Sequence, residues 1–429
     1  MSIPRTWRRL ASLVFLSLLL AACAGSPRAP AVVVLTPSHD NVIAYWDGIG
    51  RATVLGTAAA ATTPEEKFPV FHADMATLHL AMYDAVSAID GRYAPFAIRP
   101  SAPAAGASLP AAASAAAVGV LRVLFPDRGA YYQDAYARYL ATIPAGAARD
   151  RGVALGAEVA AAMVALRAND GRATPLPAYV PGTAPGKFRG IDPILRTSVA
   201  IRPFALTSLS QFRPPPPPPL DSAAYAAAFN EVKAMGGAVS TSRTPAQFEV
   251  VRFHTEQPPP YISRNFGRFA RSTPDAADAA RLMAMIYVSF ADAIDACFEA
   301  KYHYLAWRPQ SAVPLADSAS NPATVADPAW RPSAPTPNHP EYPAAHSCTA
   351  GALGEVLYRY YGTDNVTYTF DSQVTGTTRT YTSTEALTEE SLWARIHGGM
   401  HFRYSTTAGA LLGKQVAGWV IDHHFGKRM

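Results

Sequence analysis

Six consecutive prolines, Pro214 to Pro219 in the stretch RPPPPPPL, cannot be built into a helix interior or a central strand. Proline has no backbone N–H to give to either ladder, so the run must be extended polyproline II. It closes a Pro- and Gly-rich segment, 172–220, that wraps a surface or joins two halves of one body. On both sides of it the hydrophobic pattern is helical. Across 69–91, Phe71, Met75, Leu78, Met82, Val86 and Ile89 recur at steps of three and four, one apolar stripe of an amphipathic helix. Further helices are expected over 109–124, 127–142 and 146–168 before the prolines, and over 221–235 and 243–254 after them.

The longest helix is expected to open at Thr273-Pro274-Asp275, which supplies a cap, a first-turn proline and a first-turn acid. It should run to about Trp307, because Pro309 pushes Arg308 out of the α region. A second Pro-rich loop, 309–343, leads to a helix starting at Pro343, and two final helices cover 383–398 and 405–424. The Thr- and Tyr-rich stretch 364–382 is the one place that allows a small hairpin. The chain reads as all-α, with one domain over 40–429 whose two helical halves join around 172–220, and it shows no fixed-period repeat.

Residues 1–22 read as a secretory signal, with Arg5, Arg8 and Arg9 before an apolar run from Leu10 to Leu20. Leu20-Ala21-Ala22-Cys23 resembles a bacterial lipobox, so Cys23 is expected to carry a lipid anchor and 23–39 to be a flexible tether. No aspartate follows the cysteine, which points to an exported, periplasmic lipoprotein held at the outer membrane. In such a chain the proline run is not a ligand for an SH3-type module. Once the three arginines of the signal are set aside, 34 basic residues face 32 acidic ones, so nothing suggests a nucleic-acid partner. Beyond the signal no apolar run approaches a membrane-spanning length. Cys297 and Cys348 are read as two small buried residues rather than a bridge.

Three short clusters carry the chemistry. In KYHYLAWRP, Lys301 has Ile294, Cys297, Phe298 and Leu305 as its helical neighbours and therefore points inward; Arg308 joins that face if the helix persists. Two buried cations without an anion are costly. In EYPAAHSC, His346 begins an inward stripe continued by Ala350, Leu353, Leu357 and Tyr360, a place that a satisfied core histidine would equally take. The bare first-turn N–H groups near Ala344, Ala345 and His346 form an anion site. In ARIHGGMHF, Gly398-Gly399 breaks the helix, letting Arg395 and His401 address one point. His397 and His401 could alternatively be a metal pair at i, i+4, but no HExxH and no third ligand accompany them. Lys301, Arg308, Arg395, two histidines and a helix N-terminus are the inventory for a tetrahedral oxyanion, phosphate or vanadate.

Lys-x6-Arg-Pro, then Pro-x-x-His, then Arg-x5-His resembles the superfamily of vanadium-dependent haloperoxidases and type-2 phosphatidic acid phosphatases. HLAMYDAVSAIDGRY (79–93), LSQFRPPPPPPL (209–220), FNEVKAMGG (229–237) and ADAIDACFEAKYHYLAWRP (291–309) look like the exported bacterial haloperoxidase branch. The resemblance implies two packed four-helix bundles around one site. It implies that His401 is the axial vanadate ligand, or the nucleophile of a phosphatase, and that His346 is the acid–base. Lys301, Arg308 and Arg395 would hold the oxyanion oxygens with the Ala345 N–H. His339 would stand on the halide side, where algal bromoperoxidases carry a second histidine; its other reading is a loop histidine before Pro340.

Three positions depart from the pattern, of which Ala345 replaces a glycine and keeps its N–H. Ala344 replaces a serine that would bond the oxyanion, a loss of about 1–3 kcal/mol if the oxygen is left unpaired. Ser405 replaces an aspartate four residues after His401, so His401 needs another orienting acid, for which Asp292 and Asp295 are available. The leading reading is a vanadate-dependent enzyme oxidising bromide or iodide with hydrogen peroxide. A metal-free acid phosphatase acting on a phosphate ester through a phosphohistidine is the second, and a non-catalytic phosphate-binding surface lipoprotein the third.

Overall fold

The computed structural model describes residues 32–60, 71–256, 258–319 and 321–428; the signal, Cys23 and the start of the tether lie outside the described residues. The first part runs through α1 (Val42–Ala60), α2 (Phe71–Asp90), α3 (Leu109–Leu124), α4 (Gly129–Leu140) and α5 (Ala147–Arg167). After the proline segment come α6 (Ala223–Gly236), α7 (Pro245–Phe253), α8 (Pro258–Arg271), α9 (Ala276–Tyr304) and the short α10 (Pro309–Ala312). The last part is α11 (Ala345–Tyr361), α12 (Ala386–His397) and α13 (Arg403–His423). Strands β1 (Val33–Val34), β2 (Val366–Ser372) and β3 (Thr377–Tyr381) form one small sheet, β2 and β3 making the expected hairpin. No helix among the described residues is long and apolar enough to cross a membrane.

α9 is the axis. It packs against α2 and α8 of one bundle and against α11 and α13 of the other. That is why it is apolar all round, buried from Leu282 through Phe298 on every face. Its cap is Asp275 itself, whose side chain accepts the Asp278 N–H, two residues later than expected. It ends earlier than expected, at Tyr304, because Leu305 turns left-handed with φ 53° and returns its N–H to Lys301 O. Arg308 is therefore not on the Lys301 helix face. It caps α10 from extended backbone (φ −85°, ψ 157°), the conformation that Pro309 imposes.

α8 was not among the helices expected from the sequence; Pro258, Pro259 and Pro260 occupy its first turn, where no N–H is needed. Pro343 likewise stands before the cap, Ala344, rather than at the first position of α11. The end of the expected tether lies on the folded body: Val33 and Leu35 donate to Asn365 O and Thr367 O, both at 2.8 Å. The proline run carries neither helix nor strand and lies part-exposed, and Tyr304 and Tyr342 donate their hydroxyls to Pro214 O (2.6 Å) and Pro215 O (2.7 Å).

α11 and α13 meet backbone to backbone. A Cβ on Gly413 would lie 1.9 Å from Cys348 O, and one on Gly351 would lie 2.3 Å from Ala410 O. Gly413→Ala should therefore force the two helices apart and cost about 3 kcal/mol, read from denaturant unfolding. Gly418→Ala, whose nearest neighbour is Glu355 Oε1 at 3.8 Å, is the control and should cost nothing.

Candidate functional site

The last turn of α9 delivers Lys301, fully buried, to the chain that leads into α11. Its Nζ donates to Pro340 O (2.9 Å), Glu341 O (3.0 Å) and Pro343 O, so all three ammonium protons are engaged. Burial pushes its pKa down to about 8. Arg308 arrives from the other side of the turn. Its Nε donates to His339 O (2.9 Å), one Nη to Met400 O (2.8 Å) and the other to His339 Nδ1 (2.9 Å). Its first Nη also meets His401 Nε2 at 2.8 Å.

That contact assigns the His401 tautomer. A guanidinium only donates, so Nε2 must be the acceptor and Nδ1 must carry the hydrogen. Nδ1–H points at Glu341 Oε1, 2.9 Å away, and the Phe402 N–H donates to the same oxygen at 3.0 Å. Burial pushes Glu341 up to about 7, against the pull of Arg308 and Lys301. Burial, then Arg308 and Lys301, hold His401 well below its ordinary value, so the ring is neutral with its Nε2 lone pair free of a proton.

Glu341 thus stands where an orienting acid was needed. Neither acid proposed from the sequence does this. Asp292 accepts the N–H groups of Phe204, Ala205 and Leu206 at 2.7–3.0 Å, and Asp295 bonds His72 Nε2 at 2.8 Å. Ser405 sits beside the pair, donating to Glu341 O at 3.2 Å and lying 3.4 Å from His401 Nδ1. Glu341 opens the EYPAAHSC stretch, so the residue was in view; what hid it was the turn at 340–344, which only Lys301 and its carbonyl acceptors define.

α12 brings Arg395 in its last turn, and Gly398-Gly399 then breaks the helix as expected. Gly399 has φ 72°, and a Cβ there would lie 2.4 Å from Gly236 O, so only glycine turns this corner. Arg395 Nη1 reaches His254 O at 3.4 Å and its buried Nε has no partner among the described residues. Burial and then Arg308 push the guanidinium down from its ordinary value. His346, on the first turn of α11, has no hydrogen bond to its ring among the described residues; burial and then Arg395 hold it well below its ordinary value. His397 does not pair with His401: it stacks on Trp393 at 5.1 Å, and no group of three metal-ligating side chains converges among the described residues.

The structure therefore brings Lys301, Arg308, His339, Glu341 and His401 into one hydrogen-bonded cluster. Arg395, His346, Ala345 and His339 face a cavity of about 380 Å³ beside it. Phe71, Ile194, Ile262, Phe290, Ile294 and Phe298 make that cavity largely apolar. His339 packs on Phe298 at 5.0 Å and bonds Arg308, so it belongs to the site and is more than a loop residue. His254 and His72 also line the cavity; nothing in their local sequence marked them. Cys297 and Cys348 are free and buried just behind Lys301, with Cys297 Sγ 3.8 Å from Pro343 O.

Three buried cations meet one carboxylate here, and the first-turn N–H groups of α11 add partial positive charge. An oxyanion fits this donor set: it would engage the orphaned Arg395 Nε and return charge balance to the cluster.

Residues 281–427, which include Lys301, Arg308, His346, Arg395 and His401, match the family model described as the VCPO second helical-bundle domain. No curated protein matches the chain. Among solved structures, a bacterial vanadium-dependent iodoperoxidase is similar over 91% of this chain and 98% of its own, with TM-score 0.72 and 23% identity. A bacterial vanadium-dependent chloroperoxidase in its holo form is similar over 90% of this chain and 98% of its own (TM-score 0.67, 15% identity). Its apo-type counterpart is similar over 82% and 93% (TM-score 0.63, 15% identity). The fold is that of the vanadium haloperoxidases. Over 281–427 the chain also matches the VCPO model in sequence, and over the rest the likeness is one of fold.

An oxyanion held here should bind best while Lys301 is protonated. Phosphate affinity, corrected for the anion's own ionisation, should fall as pH rises through about 8. Lys301→Met should weaken binding at least about tenfold and remove that limb, both read by isothermal titration calorimetry.

Proposed function

We propose that this protein is a vanadate-dependent haloperoxidase that oxidises bromide or iodide with hydrogen peroxide. The observation that carries the reading is the buried trio Lys301, Arg308 and Arg395 around a neutral His401 whose Nε2 is unprotonated. Bound vanadate would supply a Lewis acid that activates peroxide toward halide without itself being reduced or oxidised. Arg395 and the Ala345 N–H would hold its oxygens, with the charges of Lys301 and Arg308 behind them, and His401 would offer Nε2 to it. Glu341 accepts the Nδ1 hydrogen bond and so leaves Nε2 unprotonated, a task of orientation and basicity. The Nε2 lone pair is turned to Arg308 Nη at 2.8 Å until an oxyanion takes over that donor. His346 would give and take the proton that the oxygen leaving toward water requires, H2O2 + X⁻ + H⁺ → HOX + H2O. His339 would face the halide, between Phe298 and Arg308. The apolar cavity excludes bulk water from that step.

A second reading shares the same atoms. An unprotonated Nε2 next to three cations is also a nucleophile for a phosphate ester, with His346 protonating the leaving alcohol. The two readings predict opposite responses to one ion. If the haloperoxidase reading holds, orthovanadate should switch on bromination of a dione dye. His401→Ala should abolish it, and His346→Ala should lower kcat by about 10²–10⁴. A phosphatase would instead hydrolyse an aryl phosphate without added metal and be inhibited by vanadate.

The export signal and lipid anchor belong to the same proposal. Cys23→Ser should release the protein from the membrane to the soluble periplasmic fraction, as followed by fractionation and immunoblot.

A further inference from the structure

His346 and His254 both line a second, smaller cavity of about 40 Å³, together with Thr349 and Ser391. That volume holds one water, and four polar side chains are enough to bind it. His254 is 4% exposed and lies at the end of α7, where its Nε2 meets Glu390 Oε1 at 3.0 Å. A carboxylate there fixes hydrogen on Nε2 and leaves Nδ1, which has no partner among the described residues. Glu390 is held in turn by the hairpin: Tyr381 donates to Oε1 at 2.7 Å and Arg379 to Oε2 at 3.0 Å. The β2–β3 hairpin thus supports a histidine–carboxylate pair whose histidine lines the same cavity as the acid–base.

We propose that His254, clamped by Glu390, Tyr381 and Arg379, is a positioning residue that returns protons to His346 through a single water. In the step, His254 as imidazolium gives its Nδ1 proton to the water, and the water gives one of its own to His346. The Nε2 hydrogen stays on the ring, donated to Glu390 Oε1, whose charge stabilises the imidazolium before the transfer. His254 then regains a proton from solvent through the main cavity. Only N–H and O–H bonds change, and no redox partner is needed. The proposal rests on His346 being the acid–base of the site but not on whether the reaction is peroxidative or hydrolytic.

The groups facing His254 are Glu390 and Arg395 from α12, Arg379 and Tyr381 from β3, His346 from α11, Tyr261 from α8 and Glu256 from its own turn. Burial holds His254 below its ordinary value, and Glu390 raises it part of the way back.

The test has two arms on the full folded chain. A high-resolution crystal structure without vanadate should show one water bonded to both rings; an empty cavity overturns the proposal. In kinetics, His254→Gln should lower kcat about tenfold near neutral pH with unchanged KM for peroxide and unchanged vanadate affinity. Its alkaline limb should move to lower pH, and added imidazole should restore the rate. Tyr381→Phe, which leaves the rings in place, should give a smaller shift in the same direction. Superimposable pH profiles, or a loss equal at every pH without rescue, overturn it. If the wild type hydrolyses aryl phosphate instead of halogenating, the haloperoxidase reading fails, and the same profiles on hydrolysis decide the relay.

Discussion

Lys301, Arg308 and Arg395 carry three formal charges into a volume where Glu341 supplies one of opposite sign. Taking charges out of water without pairing them costs more than any fold of this size can spare, so the surrounding backbone supplies the missing acceptors. The carbonyls of Pro340, Glu341 and Pro343 surround Lys301, and those of Pro337, His339 and Met400 surround Arg308. Five of these six belong to the loop 337–343 and the sixth to the turn before His401. The Pro-rich loop is therefore irregular for a reason. A helix or strand would have consumed its carbonyls internally, and a flexible loop would not have held them still.

The same imbalance bears on the protonation of the site. Burial first, and then the excess of cations, hold His339, His346 and His401 well below their ordinary values and so neutral. For His401 that is the useful state, since Nε2 must present a lone pair. For His346 it is useful only until an anion arrives, when the added negative charge raises its proton affinity and makes it an acid. Charge binding and acid–base readiness are then one event.

Much of this was legible in the sequence, and what was not has physical reasons. The helical periods gave α2, α3, α5 and α13 to within two residues, because stripes at three and four spacing need no tertiary knowledge. Lys301, Arg308, His346, Arg395 and His401 were legible from spacing alone. The route by which Arg308 reaches the site was not: the helix stops at Tyr304, and the residue swings in from extended backbone. Glu341, His254 and Glu390 were missed because each acts across a large sequence separation, 60 residues from Glu341 to His401 and 136 from His254 to Glu390. Periodicity carries no information at that range. Ser405, which looked like a missing acid, turned out to mark a carboxylate supplied from another segment.

The proline run has a further consequence. Its carbonyls at Pro214 and Pro215 take the hydroxyls of Tyr304 and Tyr342, and Tyr342 is the residue immediately after Glu341. A polyproline II segment has no N–H groups and fixed φ angles, so it neither frays nor re-pairs when loaded. It behaves as a stiff rod laid along the outside of the molecule, with its first two residues latched to the segment that aims the carboxylate. Tyr342, next to Glu341, is thereby fastened to a strip that offers acceptors and no competing donors.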